Sequence, residues 1–142
     1  MKVSELAKKL NSFNIGLFQE ISVENKSDEL ADLNKGQLLQ GLTSKGQKVR
    51  PKYKGERYSK KKATMNSLPG AGTPDMKLTG DFHAGMITIT DKKQYHITSE
   101  DFKIQFLPDT YPDILGLNKK SIAKARVVVT NEFIKLFKKY IE

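Results

Sequence analysis

An α+β architecture is what this sequence predicts: an antiparallel sheet of three or four strands packed against a long C-terminal helix and N-terminal helices, with a long basic loop or arm. Three observations predict it. Apolar and polar residues alternate between Ile87 and Phe106, an apolar stripe at helical spacing runs from Ile122 to Tyr140, and nine Lys and Arg residues crowd between Lys45 and Lys62. A chain of 142 residues fits one domain. Its segments are 1–42 (N-terminal helices), 43–77 (basic arm containing Gly and Pro), 78–117 (sheet) and 118–142 (C-terminal helix).

At the N-terminal end, Val3, Leu6, Ala7 and Leu10 recur every three or four residues, the pattern of a short amphipathic helix that Asn11 to Asn14 can break. Ile15 to Gln40 reads as mostly helical, with Leu17, Phe18 and Ile21 early, Leu30, Leu33, Leu38 and Leu39 later, and a restart near Asn25 to Asp28. From Gly41 to Pro74 the composition turns to Gly, Pro, Ser and Lys, and Leu68-Pro69-Gly70-Ala71-Gly72-Thr73-Pro74 disfavours regular structure, with room for a short helix at Ser59 to Ser67. A loop of this length in a compact domain is usually functional or disordered, and this one reads as a contact arm.

Strict alternation then predicts three half-buried strands, around Ile87 and Ile89, Tyr95 and Ile97, and Phe102, Ile104 and Phe106. Asp91-Lys92-Lys93-Gln94 and Ser99-Glu100-Asp101 suit the connecting turns, giving a three-stranded meander whose apolar face needs a cover. The C-terminal helix can supply it through Ile122, Ala125, Val129, Phe133, Leu136 and Tyr140, starting near Asn118; Lys135, Lys138 and Lys139 suit the negative end of its dipole.

Charge is the most uneven property of the chain. Twenty-five Lys and Arg against 16 Asp and Glu give +9. Lys45, Lys48, Arg50, Lys52, Lys54, Arg57, Lys60, Lys61 and Lys62 stand against Glu56 alone, so this stretch carries +8. Such a run reads either as a solvated face or as an electrostatic footprint for nucleic acid or an acidic protein surface. Its composition also predicts poor order in the free chain, because little apolar surface offsets an ordering cost of about 1–2 kcal/mol per residue. The chain has no cysteine, so disulfides and Cys-based metal sites are excluded, and no apolar run reaches the roughly 18 residues of a membrane span. The expectation is a soluble protein assembled in a reducing cytoplasm.

Catalytic chemistry lacks a constellation. His83 and His96 are the two histidines, expected at surface or capping positions. Gly70-Ala71-Gly72-Thr73-Pro74 lacks the Gly-Lys-Ser/Thr ending of a phosphate loop, and Glu100-Asp101 are neighbouring acids at a turn. The expectation is therefore no enzyme, no cofactor and no metal.

Three segments resemble a known family. Leu78-Thr79-Gly80-Asp81-Phe82-His83-Ala84-Gly85-Met86 is similar to the Leu-x-Thr-Gly-x-Leu-x-x-Ser turn of virion morphogenesis and tail-completion proteins of tailed bacteriophages. In physical terms Thr79 can cap the turn, Gly80 can let the backbone pass, and Phe82 can anchor it on the core. Pro112-Asp113-Ile114-Leu115-Gly116-Leu117-Asn118 resembles the Leu-Gly-Leu corner that precedes that family's terminal helix. Here Gly116 would turn the chain, Leu115 and Leu117 would staple it, and Asn118 would cap the helix. Gln37 to Lys48, then Pro51, Tyr53 and Ser59 to Lys62, resemble the family's helix end, glycine turn and basic stretch, although the tryptophan common there is absent.

The resemblance implies a structural subunit of the neck: a ring of roughly six or twelve copies around the DNA channel, joined to portal, adaptor or tail proteins. The contact residues it implies are the nine basic residues above with Tyr53 and Tyr58. Two partners fit the arm, a neighbouring protein or the phosphates of packaged DNA. The alternative reading is a small basic nucleic-acid-binding module, in which Tyr53 and Tyr58 are stacking platforms among the cations. Against it, Tyr95 and Phe102 stand in phase with Ile97 and Ile104 and so are expected on the core face.

Overall fold

Helices α1 (Val3–Ser12), α2 (Ile15–Asn25) and α3 (Ser27–Leu39) open the chain. The computed structural model describes residues 1–91 and 94–142; Lys92 and Lys93, in the first expected hairpin turn, lie outside the described residues. After α3 come α4 (Glu56–Met65), the single turn α5 (Asp81–Ala84), strands β1 (Met86–Asp91) and β2 (Gln94–Ser99), a 3-10 turn (Phe102–Gln105), the short α6 (Leu107–Thr110) and the long α7 (Lys119–Ile141). The breaks fall where the sequence puts them. Asn14 caps α2 by accepting from Leu17 N at 3.0 Å, and Asn118 caps α7 by accepting from Ser121 N at 3.0 Å.

The class is α+β, but the sheet is one antiparallel pair, β1 against β2. The expected third strand is absent: Phe102 to Gln105 coils into the 3-10 turn. Ser99 Oγ accepts from Asp101 N at 3.2 Å, and the Asp101 carboxylate accepts from Lys103 N at 3.0 Å, so local side-chain bonds outcompete a ladder. Ile104 of this turn and Leu107 at the start of α6 pack on the core. Phe102 and Phe106 are left 68% and 47% exposed. The apparent alternation was a period of three sampled too briefly.

Register brings a second correction. Thr88 lies opposite Ile97 and Ile89 opposite His96, and residues directly opposite share a face, so Ile87 and Ile89 are on the other face from Ile97. The inner face is Met86, Thr88, Ile97 and Ser99, with the Thr88 hydroxyl donating to Ser27 O at 2.8 Å. That bond lets a polar residue occupy the covered side. Tyr95 lies on the inner face with Ile97, as its phase implies, although it is 37% exposed; Phe102, also expected on the core face, is exposed beyond the sheet.

Of the helices expected to cover the sheet, the N-terminal ones supply the chief contact. Helix α3, with α2 beside it, lies against β1, and α7 packs chiefly along α2. Leu30 and Leu38 of α3 are fully buried, and Ala31 and Leu38 join Val49, Met76, Phe82, Met86, Ile97 and Ile114 in one core. Away from it, Phe13 gathers Phe18, Phe133, Phe137 and Tyr140 within 6.0 Å between ring centroids. This aromatic knot holds the α1–α2 corner to the end of α7, and Tyr140 Oη adds a 2.9 Å bond to Lys9 O.

Candidate functional site

The basic arm is folded onto the body, which corrects the expectation of a poorly ordered segment. Its apolar anchors are few but deep: Val49 is 1% exposed, and Pro69, Pro74 and Met76 are buried. Gly41, at φ +69°, allows the approach of Pro69 and Thr73, since a Cβ there would stand 2.7 Å from each. The short helix expected at Ser59 to Ser67 is present as α4, which starts earlier, at Glu56, and ends at Met65; that stretch contains neither Gly nor Pro.

Asp75 is the hub that fixes α4. Its carboxylate receives the Lys62 ammonium at 2.8 Å, Lys77 N at 2.9 Å and Asn66 Nδ2 at 3.0 Å. Lys62 also donates to Lys77 O, and Asn66 ties the hub to α3 by donating to Leu39 O at 2.8 Å. Burial opposes ionisation of Asp75, but these donors outweigh it and hold the carboxyl below its ordinary range. The Asp75 carbonyl lies 2.8 Å from His83 Nε2; a carbonyl can only accept, so the ring carries its proton on Nε2. His83 is 6% exposed, a buried partner of the hub and not the surface or capping residue expected. Burial pushes its pKa down.

The structure divides the eleven arm residues named from the sequence. Lys62 is internal. Lys48 spends its ammonium on the carbonyls of Pro69 (2.9 Å) and Gln40 (3.2 Å), bracing the loop. Lys45 pairs with Asp113 at 3.4 Å and Lys60 with Glu56 at 3.2 Å, both exposed. Arg50, Lys52, Lys54, Arg57 and Lys61 are exposed and, among the described residues, make no ion pair. Tyr53 and Tyr58 meet edge to face, 4.9 Å between centroids at 87°.

These two tyrosines open onto a cavity of about 130 Å³ that three separate segments build. The arm gives Tyr53, Tyr58 and Lys62, residues 76–78 give Met76, Lys77 and Leu78, and the turn region gives Lys103, Leu107 and Tyr111. Tyr53 N donates to Gly72 O at 2.9 Å, while Leu107 and Tyr111 rest on the core, so the walls are fixed in place. Desolvation is the main cause raising the phenol pKa values of Tyr53 and Tyr111, which keeps both neutral donors. Tyr111, Lys77 and Lys103 carry no sequence signal that would have joined them to the arm.

The residues singled out by resemblance converge on the same core. Phe82 is 1% exposed and Gly80 sits at φ +92°, with Asp81 N reaching Thr79 Oγ1 at 3.4 Å; Leu78 is 57% exposed at the cavity rim. At the Leu-Gly-Leu corner Gly116 has φ +108°, and the deepest residue is Ile114, 1% exposed, with Leu115 and Leu117 half-buried beside it. Two buried amides of α3 clamp this corner. Asn34 donates to Ile114 O at 3.0 Å and accepts from Gly116 N at 2.8 Å. Gln37 donates to Gly116 O at 2.9 Å and accepts from Asn118 N at 2.8 Å. The side chains thereby serve the corner as a neighbouring strand would.

No family model, curated protein or solved structure matches this chain. Among the described residues no group of three or more His, Asp or Glu is placed to hold a metal ion, and no helix is long and apolar enough to cross a membrane.

Proposed function

We propose that this chain is a structural virion protein of a tailed bacteriophage, a ring subunit of the neck or tail-completion region. The observation that carries the reading is that its two most family-like segments, around Thr79-Gly80 and Leu115-Gly116-Leu117, form one unit: Phe82 from the first and Ile114 from the second lie in the same core. A closed ring needs heterologous contacts, in which unlike patches meet. Exposed apolar residues offer unlike patches: Val3 and Leu10 on α1, Ile15 and Leu17 on α2, Val127 and Ile134 on α7, and Phe102 and Phe106 beyond the sheet. The partners are further copies of the chain and the portal, adaptor or tail proteins, and the role requires no reaction and no cofactor. Electron microscopy of the assembled virion tests the proposal. A closed ring at the head–tail junction is the expected result; isolated copies, or copies on the capsid shell alone, overturn it.

A further inference from the structure

We infer that the tyrosine-lined cavity beside α4 binds one unpaired nucleotide of a single-stranded nucleic acid, its base against the tyrosines and its phosphate toward Lys77 and the arm. Size is the first argument. A space of about 130 Å³ has room for a planar aromatic ring. Chemistry is the second: Tyr53, Tyr58 and Tyr111 line the cavity with aromatic rings, and Met76 and Leu107 complete an apolar wall. Bases stack on such platforms with little regard to sequence, because every base has a π-face.

Charge chooses the occupant. Lys77 at the rim and Lys54, Arg57 and Lys61 on the adjoining arm are exposed and, among the described residues, make no ion pair. Glu56, the one acid of the stretch, is already held by Lys60. An uncharged aromatic side chain would fill the cavity and leave these cations unused; a polynucleotide satisfies both. A duplex keeps its bases stacked and paired, so it can reach the cations and not the cavity. Preorganisation favours binding, since the Lys62–Asp75 hub fixes α4 before any ligand arrives. This inference does not rest on the ring: a chain that never closes a ring still has the cavity.

The test uses the full chain with a fluorescein-labelled oligothymidine of about 12 nucleotides, the matching duplex, and an acidic tyrosine-containing peptide as competitor. Anisotropy reads binding. Tyrosine emission, recorded with unlabelled strands and without the peptide, reads stacking, because the chain has no tryptophan and three of its five tyrosines line the cavity. The single strand is expected to bind and quench tyrosine emission, and the duplex to bind without quenching. Tyr58→Leu, at a residue 39% exposed, is expected to weaken single-strand binding roughly tenfold or more at an unchanged melting temperature, with Tyr58→Phe restoring it. Lys77→Gln should lower the salt slope of single-strand binding by about 0.7. Quenching by the duplex, unchanged affinity of Tyr58→Leu, or displacement of the oligonucleotide by the peptide at equal concentration overturns the inference. Should Tyr58→Leu fail to fold, the wild-type quenching and the Lys77→Gln slope decide alone.

Discussion

Breaking the Lys62–Asp75 pair from either side should cost much stability, and unequally. Both side chains are nearly sealed from water, Lys62 at 6% and Asp75 at 3% exposure. Lys62→Met keeps the volume of the stem and leaves the Asp75 carboxylate with two of its donors, Lys77 N and Asn66 Nδ2. Asp75→Ala leaves the Lys62 ammonium with the Lys77 carbonyl alone and also strands both donors. Removing one member of a buried pair costs about 3–5 kcal/mol. The lower end fits Lys62→Met and the upper end Asp75→Ala, which for a chain of this size means melting shifts of roughly 10 °C and 20 °C. Lys60→Met, which breaks the exposed pair with Glu56, is the control and should stay within about 0.5 kcal/mol of wild type. Urea titrations followed by circular dichroism give the three values. Wild-type stability in Lys62→Met, or a larger loss there than in Asp75→Ala, would refute the reasoning and place α4 outside the cooperative fold.

Acid should weaken the fold in two stages. His83 has its pKa depressed by burial, so its contribution is full above the unfolded value of about 6.5 and is lost as pH falls through the folded value; His83→Gln should flatten that limb of a pH–stability curve. Asp75 is likewise depressed, so its share is lost below about pH 4, a limb that Asp75→Asn should remove at the expense of overall stability. At the corner, Ile114→Ala should cost about 2–5 kcal/mol and Leu115→Ala less, because Ile114 is the sealed residue; equal losses in thermal melts would contradict this. Gly85→Ala would bring a Cβ within 2.9 Å of Asp101 N and Ser99 Oγ, for an expected loss of about 1–3 kcal/mol in urea. Replacing Lys60 and Lys61 with Gln while sparing Lys62 separates arm roles in a ring: poor assembly without DNA indicates a protein contact, and lost genome retention with normal rings indicates DNA.

The helices were legible because their signals are local. Asn14 and Asn118 announce caps within three residues of their partners, and the stripe from Ile122 to Tyr140 persists for five turns. The third strand was misread because Phe102, Ile104 and Phe106 sample too few residues to separate a period of two from a period of three, while the decisive bonds of Ser99 and Asp101 leave no trace in hydrophobicity. Sheet faces were misread for another reason: phase within a strand is local, but which phase of β1 meets which phase of β2 is set by register. Most of the arm's cations were correctly placed at the surface. Lys62 was not, because its burial depends on Asp75, thirteen residues on, and a lone acid among Gly, Pro and Thr gives no sign of a buried partner. The cavity was invisible for the same reason, since Tyr111 reaches Tyr53 and Tyr58 only through the tertiary fold.

The amide clamp on the Leu-Gly-Leu corner ties this protein's folding to its synthesis. Its four hydrogen bonds span 79 to 82 residues of sequence, so α3 leaves the ribosome long before the backbone it is built to hold. Until then Asn34 and Gln37 have water for a partner, and Leu30 and Leu38 beside them have no lasting cover. Closing such a span costs chain entropy before any contact repays it. The corner therefore belongs among the last elements to lock, and substitutions that weaken the clamp should hasten unfolding while leaving the folding rate nearly untouched.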